Sequence, residues 1–457
     1  MARVIIAGGG ISGLSLAYLL NRRAPSLDIL VLESEARPGG KIWTDGADGF
    51  LCESGVNGFL DNKPKTLELI NDLSLEPIRS NKASMKRFIF SDGLLHRLPE
   101  SPPAFLSSKL LSLPGRLRVA CEIVAPKGSD DYDESLADFA KRRLGREAYE
   151  KMIDPMASGI YAGDPEKLSL KSCFPRIHEL EVNYGSLIRA LIKLQIRAKK
   201  EGKAGPGPGP GGLLTSFYEG METLVKSLKE SLGSMVMTDS MVESIDMKGN
   251  GFALGLNNGV VMDTDLVVLA TPAHAASKIV NSLDRTMSAA LEDITYPSVS
   301  VVCLGYRKEQ VRHELDGFGF LIPFKEGCRI LGTLWDSSIF PNRAPEGHLL
   351  LRTMVGGARA SDLARQKEDM LIRTVEGELS KIMDIKAEPV FAKVYMHEKA
   401  IPQYNIGHQK KLRIIDDLLV KYKGMYITGN AYRGISVNDC IENSYRLSER
   451  IIDDLKI

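Results

Sequence analysis

The chain opens on Val4-Ile5-Ile6-Ala7, a continuous apolar run of the kind that a strand buried on both faces requires. The run stops at Gly8. A helical run follows from Leu14 to Leu20, closed by Asn21 and Pro25, and a second apolar run, Ile29-Leu30-Val31-Leu32, ends on Glu33. This is a strand–helix–strand unit of about thirty residues, the size of half a nucleotide-binding domain. From Phe59 to about Lys200 the spacing turns helical, broken at Pro99, Pro102, Pro103, Pro114 and Pro126. Residues 205–212, Gly-Pro-Gly-Pro-Gly-Pro-Gly-Gly, suit neither helix nor strand and read as an exposed loop between two regions. Strand patterns then return. Met235 to Asp246 and Phe252 to Leu256 predict a hairpin, and Asp265 to Ala270 a buried strand ending in Thr271-Pro272. Val299 to Tyr306, Gly319 to Pro323, Arg329 to Leu334 and Leu349 to Val355 predict a second sheet. Gly424 to Asn430 predicts one more strand, leading into a closing helix from Ile441 to Leu455.

Composition narrows the function classes. Lys plus Arg (59) and Asp plus Glu (58) nearly cancel, leaving a net charge of +1 and no global field for nucleic acid, which is excluded as a first reading. At 457 residues the chain is worth about three domains, and 44% hydrophobic with 26% charged residues is ordinary for a globular protein. Cys52, Cys121, Cys173, Cys303, Cys328 and Cys440 show neither a C-x-x-C pair nor zinc-ligand spacing to histidine. No disulfide framework and no metal are expected, and a reducing, cytoplasmic setting is the default. The first apolar run is too short for a secretory signal, and no stretch of eighteen apolar residues predicts a membrane span.

The chemistry sits at the first turn. Gly8-Gly9-Gly10-Ile11-Ser12-Gly13 lies between strand and helix, with Glu33 following at the end of the next strand. In that context Gly8 permits the tight turn, Gly10 lets backbone approach a pyrophosphate, and Gly13 allows close helix–strand packing. The helix N-terminus supplies unpaired N–H groups, and Glu33 accepts from ribose hydroxyls. Glu33 continues as Glu33-Ser34-Glu35-Ala36-Arg37-Pro38-Gly39-Gly40-Lys41, which resembles the E-x-x-x-R-x-G-G-[RK] signature of the flavin amine-oxidase superfamily. The resemblance implies FAD, with Arg37, Gly39, Gly40 and Lys41 close to it. A second glycine fingerprint is missing, since Gly356-Gly357 lacks the third glycine. The flavin should therefore be reduced by substrate rather than by a nicotinamide, and reoxidised by oxygen or another acceptor.

Within that superfamily the chain resembles the protoporphyrinogen/coproporphyrinogen oxidase family almost end to end. The carriers are Asp154-Pro155-Met156-Ala157-Ser158-Gly159-Ile160-Tyr161-Ala162-Gly163-Asp164-Pro165, Gly317-Phe318-Gly319-Phe320-Leu321-Ile322-Pro323, Phe340-Pro341-Asn342-Arg343-Ala344-Pro345 and Ile401-Pro402-Gln403-Tyr404-Asn405-Ile406-Gly407-His408. The tail from Gly429-Asn430-Ala431-Tyr432-Arg433 to Ile441 is similar to the flavin-contacting end of the family. Where the usual turn reads G-V-G-V-P-D, this chain has Gly434-Ile435-Ser436-Val437-Asn438-Asp439.

The resemblance implies an α/β fold with a Rossmann-type FAD-binding domain built from discontinuous segments (1–86, 213–280 and 399–457). It adds a helical domain (87–204), for which membrane docking is one of two readings, and a mixed β substrate domain (281–398). Implied cofactor contacts are Gly8, Gly10, Ile11, Ser12, Gly13, Glu33, Val242, Gly429, Asn430, Ile435 and Val437 besides the signature residues, with FAD held non-covalently. Leu321, Leu334 and Met354 would clamp a porphyrinogen, Arg87 would meet a propionate, and Gly159 would line the cavity. No acid/base residue is assigned, because aromatisation drives the reaction and the flavin carries the chemistry. His408 reads as structural and Cys440 as a buried thiol rather than a flavin link. The implied activity is oxidation of protoporphyrinogen IX to protoporphyrin IX in haem biosynthesis by molecular oxygen, with peroxide released. The alternatives are coproporphyrinogen III oxidation by the same chemistry, a primary-amine oxidase, and a non-catalytic lipid escort on the same fold. The stretch from Pro103 to Lys127, with Phe105, Leu106, Leu110, Leu111, Leu113, Leu117 and Val119 among Lys109, Arg116 and Arg118, suits either peripheral docking on an anionic bilayer or a helix pair folded into its own domain. A homodimer is left open.

Overall fold

The computed structural model describes residues 2–129, 132–200 and 211–456. Most of the expected Gly/Pro loop, residues 205–210, lies outside the described residues. Five parallel strands form the first sheet, in the order Val236–Met237, Asp28–Leu32, Arg3–Ala7, Leu266–Leu269, Met425–Ile427. Alternate residues feed two cores. Val4, Ile6, Val31 and Val268 pack beneath the Ile11–Arg23, Glu222–Leu232 and Val437–Leu455 helices, while Ile5, Ala7, Leu32 and Leu269 pack on the opposite face. Three antiparallel strands, Val242–Lys248, Gly251–Leu256 and Val261–Thr264, cover that second face.

The expected hairpin forms between Val242–Lys248 and Gly251–Leu256, but its first arm, read from Met235, starts too early. Val236–Met237 joins the parallel sheet beside Asp28–Leu32, and Val242 begins a separate strand. Asp239, with φ +52°, turns the chain from one sheet to the other.

The second sheet has seven strands, in the order Phe391–His397, Val299–Arg307, His348–Gly356, Gly332–Leu334, Gly319–Leu321, Arg87–Ser91, Leu94–Arg97. The last two overturn the helical reading from Phe59 and move residues 87–97 out of the expected helical domain. Arg87-Phe88-Ile89-Phe90-Ser91 has the period-2 alternation of a strand, and Asp92-Gly93 closes the hairpin with φ of +53° and +78°, as a two-residue turn between twisted strands requires. Arg87–Ser91 then pairs in parallel with Gly319–Leu321, about 230 residues away, which local spacing does not reveal.

Helices dominate only from Pro102 onward. Their unit is pinned by a fully buried ion pair, Arg143 to Glu122 at 2.6 Å. Glu122 also accepts from the Ser186 hydroxyl and from the Leu187 and Ile188 N–H groups at the start of the Leu187–Lys200 helix. Replacing Arg143 by Met strands a buried carboxylate, so this unit should lose about 3–5 kcal/mol. Urea unfolding followed by hydrogen exchange on residues 136–200 measures the loss.

Candidate functional site

The glycine turn forms where the Arg3–Ala7 strand meets the Ile11–Arg23 helix. Gly8 adopts φ +107°, and a Cβ there would stand 2.9 Å from the Ala270 carbonyl carbon. A Cβ on Gly13 would collide with the Gly8 carbonyl oxygen, whereas one on Gly10 would meet nothing within 4 Å. Two of the glycines therefore serve packing, and Gly10 faces open space. Gly10 is the N-cap residue and offers no side-chain acceptor, so the first-turn N–H groups await one. Gly9 N–H donates to Glu33 Oε2 at 2.8 Å, and the other Glu33 oxygen accepts from Glu35 N–H at 2.9 Å. Glu33 thus sits beside the turn, 7% exposed.

The following signature wraps back onto the same place. Gly10 and Gly39 form a parallel bridge, and Gly39 N–H donates to the Gly9 carbonyl at 2.7 Å. Arg37 holds the loop's own carbonyls, donating to Pro38, Ile42 and Gly40, and pairs with Glu222 at 3.4 Å. Its guanidinium is committed to loop shape. Lys41 has no carboxylate partner among the described residues, and burial pushes its pKa down. Nearby, both amide atoms of Asn57 and the Thr271 hydroxyl are buried without a hydrogen-bond partner. An uncapped helix start, open space over Gly10, an unpaired ammonium and orphaned polar atoms together suit a dinucleotide with phosphates and polar ring edges. Asn57 and Thr271 were not foreseen, because nothing in an isolated Asn or Thr reports its burial. The Thr-Pro that ends the Leu266–Leu269 strand was the one available signal.

The tail closes the cleft. Ser444 in the Val437–Leu455 helix donates to the Ser12 carbonyl at 2.9 Å, joining this helix to the first. Gly429, at φ +128°, turns the chain beside Ala270, and the Asn430 carbonyl accepts from Tyr404 Oη at 2.6 Å. Ile435 packs against the cluster holding Tyr161 and Tyr404, and Val437 is buried with Leu14 and Leu16. The residues that depart from the family's usual turn have local jobs. Ser436 and Asp439 form a reciprocal capping box, and Asn438 donates to the Leu60 carbonyl. Val242 is buried near Leu32, two residues beyond Ser240, whose N–H donates to the Glu33 carbonyl. His408 is buried, stacks on Tyr404 at 4.2 Å and bonds the Tyr432 carbonyl at 3.1 Å, and burial pushes its pKa down to about 4. It is a neutral packing residue. Cys440 is buried, with its thiol pushed up to about 11, so it is protonated at neutral pH.

The expected substrate residues gather on one face of the seven-stranded sheet. Arg87 is opposite Gly319 and Gly319 opposite Leu334; one step along, Leu321 is opposite Gly332 and Gly332 opposite Met354. Because side chains alternate, Arg87, Leu321, Leu334 and Met354 all point the same way. Leu321, Leu334 and Met354 are half-buried, and Gly319 and Gly332 between them leave a smooth trough. Gly159, in the Asp154–Tyr161 helix, roofs this face: a Cβ there would lie 2.8 Å from Leu321 Cδ2. Arg87 is exposed, lies over the Phe318 ring at 5.3 Å, and has no ion-pair partner among the described residues. Surrounding protein lowers its pKa and Glu100 raises it. On the same face, opposite Leu334, the buried Arg352 pairs with Asp336 at 2.8 Å and donates to the Gly55 carbonyl at 3.0 Å, bolting the sheet to the segment that carries Asn57. Glu53, just upstream, is fully buried; burial pushes its carboxyl up to about 7, while Met221 N–H and Thr44 Oγ1 each donate to it at 2.8 Å.

A glycine turn and signature loop built for a flavin nucleotide, set against an apolar trough on a second sheet, define a flavin-dependent oxidoreductase. The chain belongs to the flavin-containing amine oxidoreductase family, whose pattern matches residues 11–452, and its cofactor is FAD. It is 32% identical over 460 residues to coproporphyrinogen III oxidase of Bacillus subtilis (strain 168), covering 96% of this chain and 95% of that protein. It is 35% identical over 477 residues to the chloroplastic protoporphyrinogen oxidase of Oryza sativa subsp. japonica, covering 99% and 89%. A crystal structure from Exiguobacterium sp. 255-15 superposes with a TM-score of 0.85 at 26% identity, over 100% of this chain and 99% of that one. Reduced UDP-galactopyranose mutase (TM-score 0.77, 16% identity, 99% of this chain and 94% of that one) shares the fold alone.

The glycines make separable predictions. Gly10→Ala should leave the apoprotein's Tm unchanged yet weaken FAD binding about tenfold or more, a cost near 1.4 kcal/mol. Gly13→Ala should lower the apoprotein's own stability by about 1–3 kcal/mol through overpacking. Thermal unfolding without FAD and flavin-fluorescence titration read the two effects independently.

Proposed function

We propose that this chain oxidises protoporphyrinogen IX to protoporphyrin IX, with oxygen as the electron acceptor. The observation that carries the reading is the trough itself: Leu321, Leu334 and Met354 face one way, and an unpaired guanidinium, Arg87, stands at one edge. A reduced tetrapyrrole with both propionates along one edge and apolar substituents elsewhere has the complementary pattern. Apolar contact supplies affinity at roughly 25 cal/mol per Å² before association costs, and a forked cation sets the orientation.

FAD, when bound, accepts two electrons per round, so removal of six hydrogens takes three rounds and converts three oxygen molecules to three peroxides. The chain's own part is to place the macrocycle. Along the trough face from Arg87 and Ile89 through Gly319, Leu321, Gly332 and Leu334 to Arg352 and Met354, the only ionisable groups are two arginines, which hold their protons at any working pH. Protons released from pyrrole nitrogens therefore leave to solvent rather than to a base on this wall.

A second reading, oxidation of coproporphyrinogen III, is supported by the similarity to the Bacillus subtilis relative. That substrate carries four propionates, with two in place of the vinyl groups of the other. Anaerobic mixing with each porphyrinogen, followed by flavin bleaching, separates the readings. Faster bleaching by protoporphyrinogen supports the first, faster bleaching by coproporphyrinogen supports the second, and bleaching by neither sinks both.

The reading includes a peripheral contact with the cytoplasmic face of a membrane. Leu106, Leu113 and Leu117 are each at least 60% exposed, Leu110 and Leu111 are buried, and no helix among the described residues is long and apolar enough to cross a bilayer. Arg116 and Arg118 donate to backbone carbonyls at Leu106, Arg142 and Arg143, so apolar insertion rather than basic charge would provide the affinity. Replacing the three leucines by Ser should abolish flotation with liposomes without changing FAD content. Arg87→Ala should lower kcat/KM by roughly 10–100-fold, the worth of a charge-assisted hydrogen bond of about 1.5–3 kcal/mol. Unchanged steady-state kinetics would remove the propionate role.

A further inference from the structure

The Asp154–Tyr161 helix, which roofs the trough through Gly159, is held by one guanidinium. Arg359, three residues past the end of the His348–Gly356 strand, ion-pairs with Asp154 at the start of the helix and with Asp164 just beyond its end, the second contact at 3.1 Å. Its guanidinium also lies over the Phe324 ring, 4.5 Å from the centroid. Phe324 follows the Gly319–Leu321 strand, and its N–H donates to Asp154 Oδ2 at 2.8 Å. Next to Arg359, Ala358 N–H donates to the Ala162 carbonyl at 2.7 Å. Both ends of the roof are thus tied to the two wall strands that carry Leu321 and Met354.

Packing holds the near side of the roof, where Ala162 shares a buried cluster with Val299, Leu331 and Met354. On the other side a small solvent-open cleft lies at this junction, lined by Asp154, Ser158, Ala162, Leu331, Phe324 and Arg359 among others. On the open side the forked ion pairs, together with the Phe324 N–H bond to Asp154, hold the helix against the sheet. The setting matters because the roof has no slack: even a methyl group on Gly159 would come to 2.8 Å from Leu321.

We propose that Arg359 is a positioning residue that fixes the height of the substrate trough by clamping Asp154 and Asp164 to the wall strands. Asp154 and Asp164 are its two anchors, and the Phe324 ring orients the guanidinium plane so that both can be reached at once. A lysine at this position supplies charge but no fork, and can serve only one anchor at a time.

The proposal rests on the porphyrinogen-oxidase reading, and the experiment keeps the two apart. Arg359→Lys, Arg359→Gln and Asp164→Asn are purified with FAD, and kcat and KM are measured with whichever porphyrinogen the unaltered protein oxidises, alongside flavin content, Tm and the rate of flavin photoreduction, which does not use the trough. Arg359→Gln should raise KM at least tenfold with kcat within about threefold, and Arg359→Lys and Asp164→Asn should raise it less, about two- to fivefold. Flavin content and photoreduction should match the unaltered protein. Equal KM values in all three folded variants would overturn the clamp. So would loss of FAD or of folding in all three, Asp164→Asn included, because the residue would then serve the fold rather than the trough. Failure of the unaltered protein to oxidise either porphyrinogen overturns the functional reading instead.

Discussion

The first helix begins without a side-chain cap, and the rest of the molecule is arranged around that electrostatic deficit. Gly10 has no acceptor to offer, so the positive end of a thirteen-residue helix points into open space with its N–H groups unspent. The closing helix is treated oppositely: Ser436 and Asp439 satisfy its first turn from within the chain. Two helices pack side by side, and only one is left able to attract an anion. Keeping it so requires that no side chain intrude, which is why the signature loop approaches as bare Gly39-Gly40 and why Arg37, the cation nearest in sequence, spends itself on loop carbonyls. Lys41 remains the unpaired charge.

The substrate side follows a related logic on a different scale. The trough is smooth because glycines alternate with its leucines across two neighbouring strands, and Arg352, Asp336 and the Gly55 carbonyl lock the sheet to the cofactor segment. Buried ion pairs of this sort add little net stability over a hydrophobic replacement, and breaking one half is costly. They specify an arrangement. Arg143 with Glu122 does so for the helical unit, and Arg359 with its two aspartates for the roof.

The elements legible in the chain were those whose information is local. A doubly buried strand announces itself as four apolar residues in a row, and a glycine turn followed by an acid at a set distance states a ligand class. The elements misread were those decided elsewhere. Met235 to Asp246 looked like one strand because the left-handed turn at Asp239 carries no glycine. The strand at Arg87–Ser91 was lost among helical neighbours although its Asp-Gly turn was in view.

The sequence by itself determined the glycine turn and the signature loop, since Gly8 to Gly13 and Glu33 to Lys41 are each consecutive stretches whose turn geometry is encoded by glycine positions. It also named Arg87, Leu321, Leu334 and Met354 through family likeness, but it could not place them on one face. Tertiary structure decided that, through strand pairings across more than 200 residues whose register sets every side chain's direction at once. It alone brought Arg359 to Asp154 and Asp164, because an ion pair between distant segments leaves no periodic trace in the chain and exists only once packing has set both partners at bonding distance.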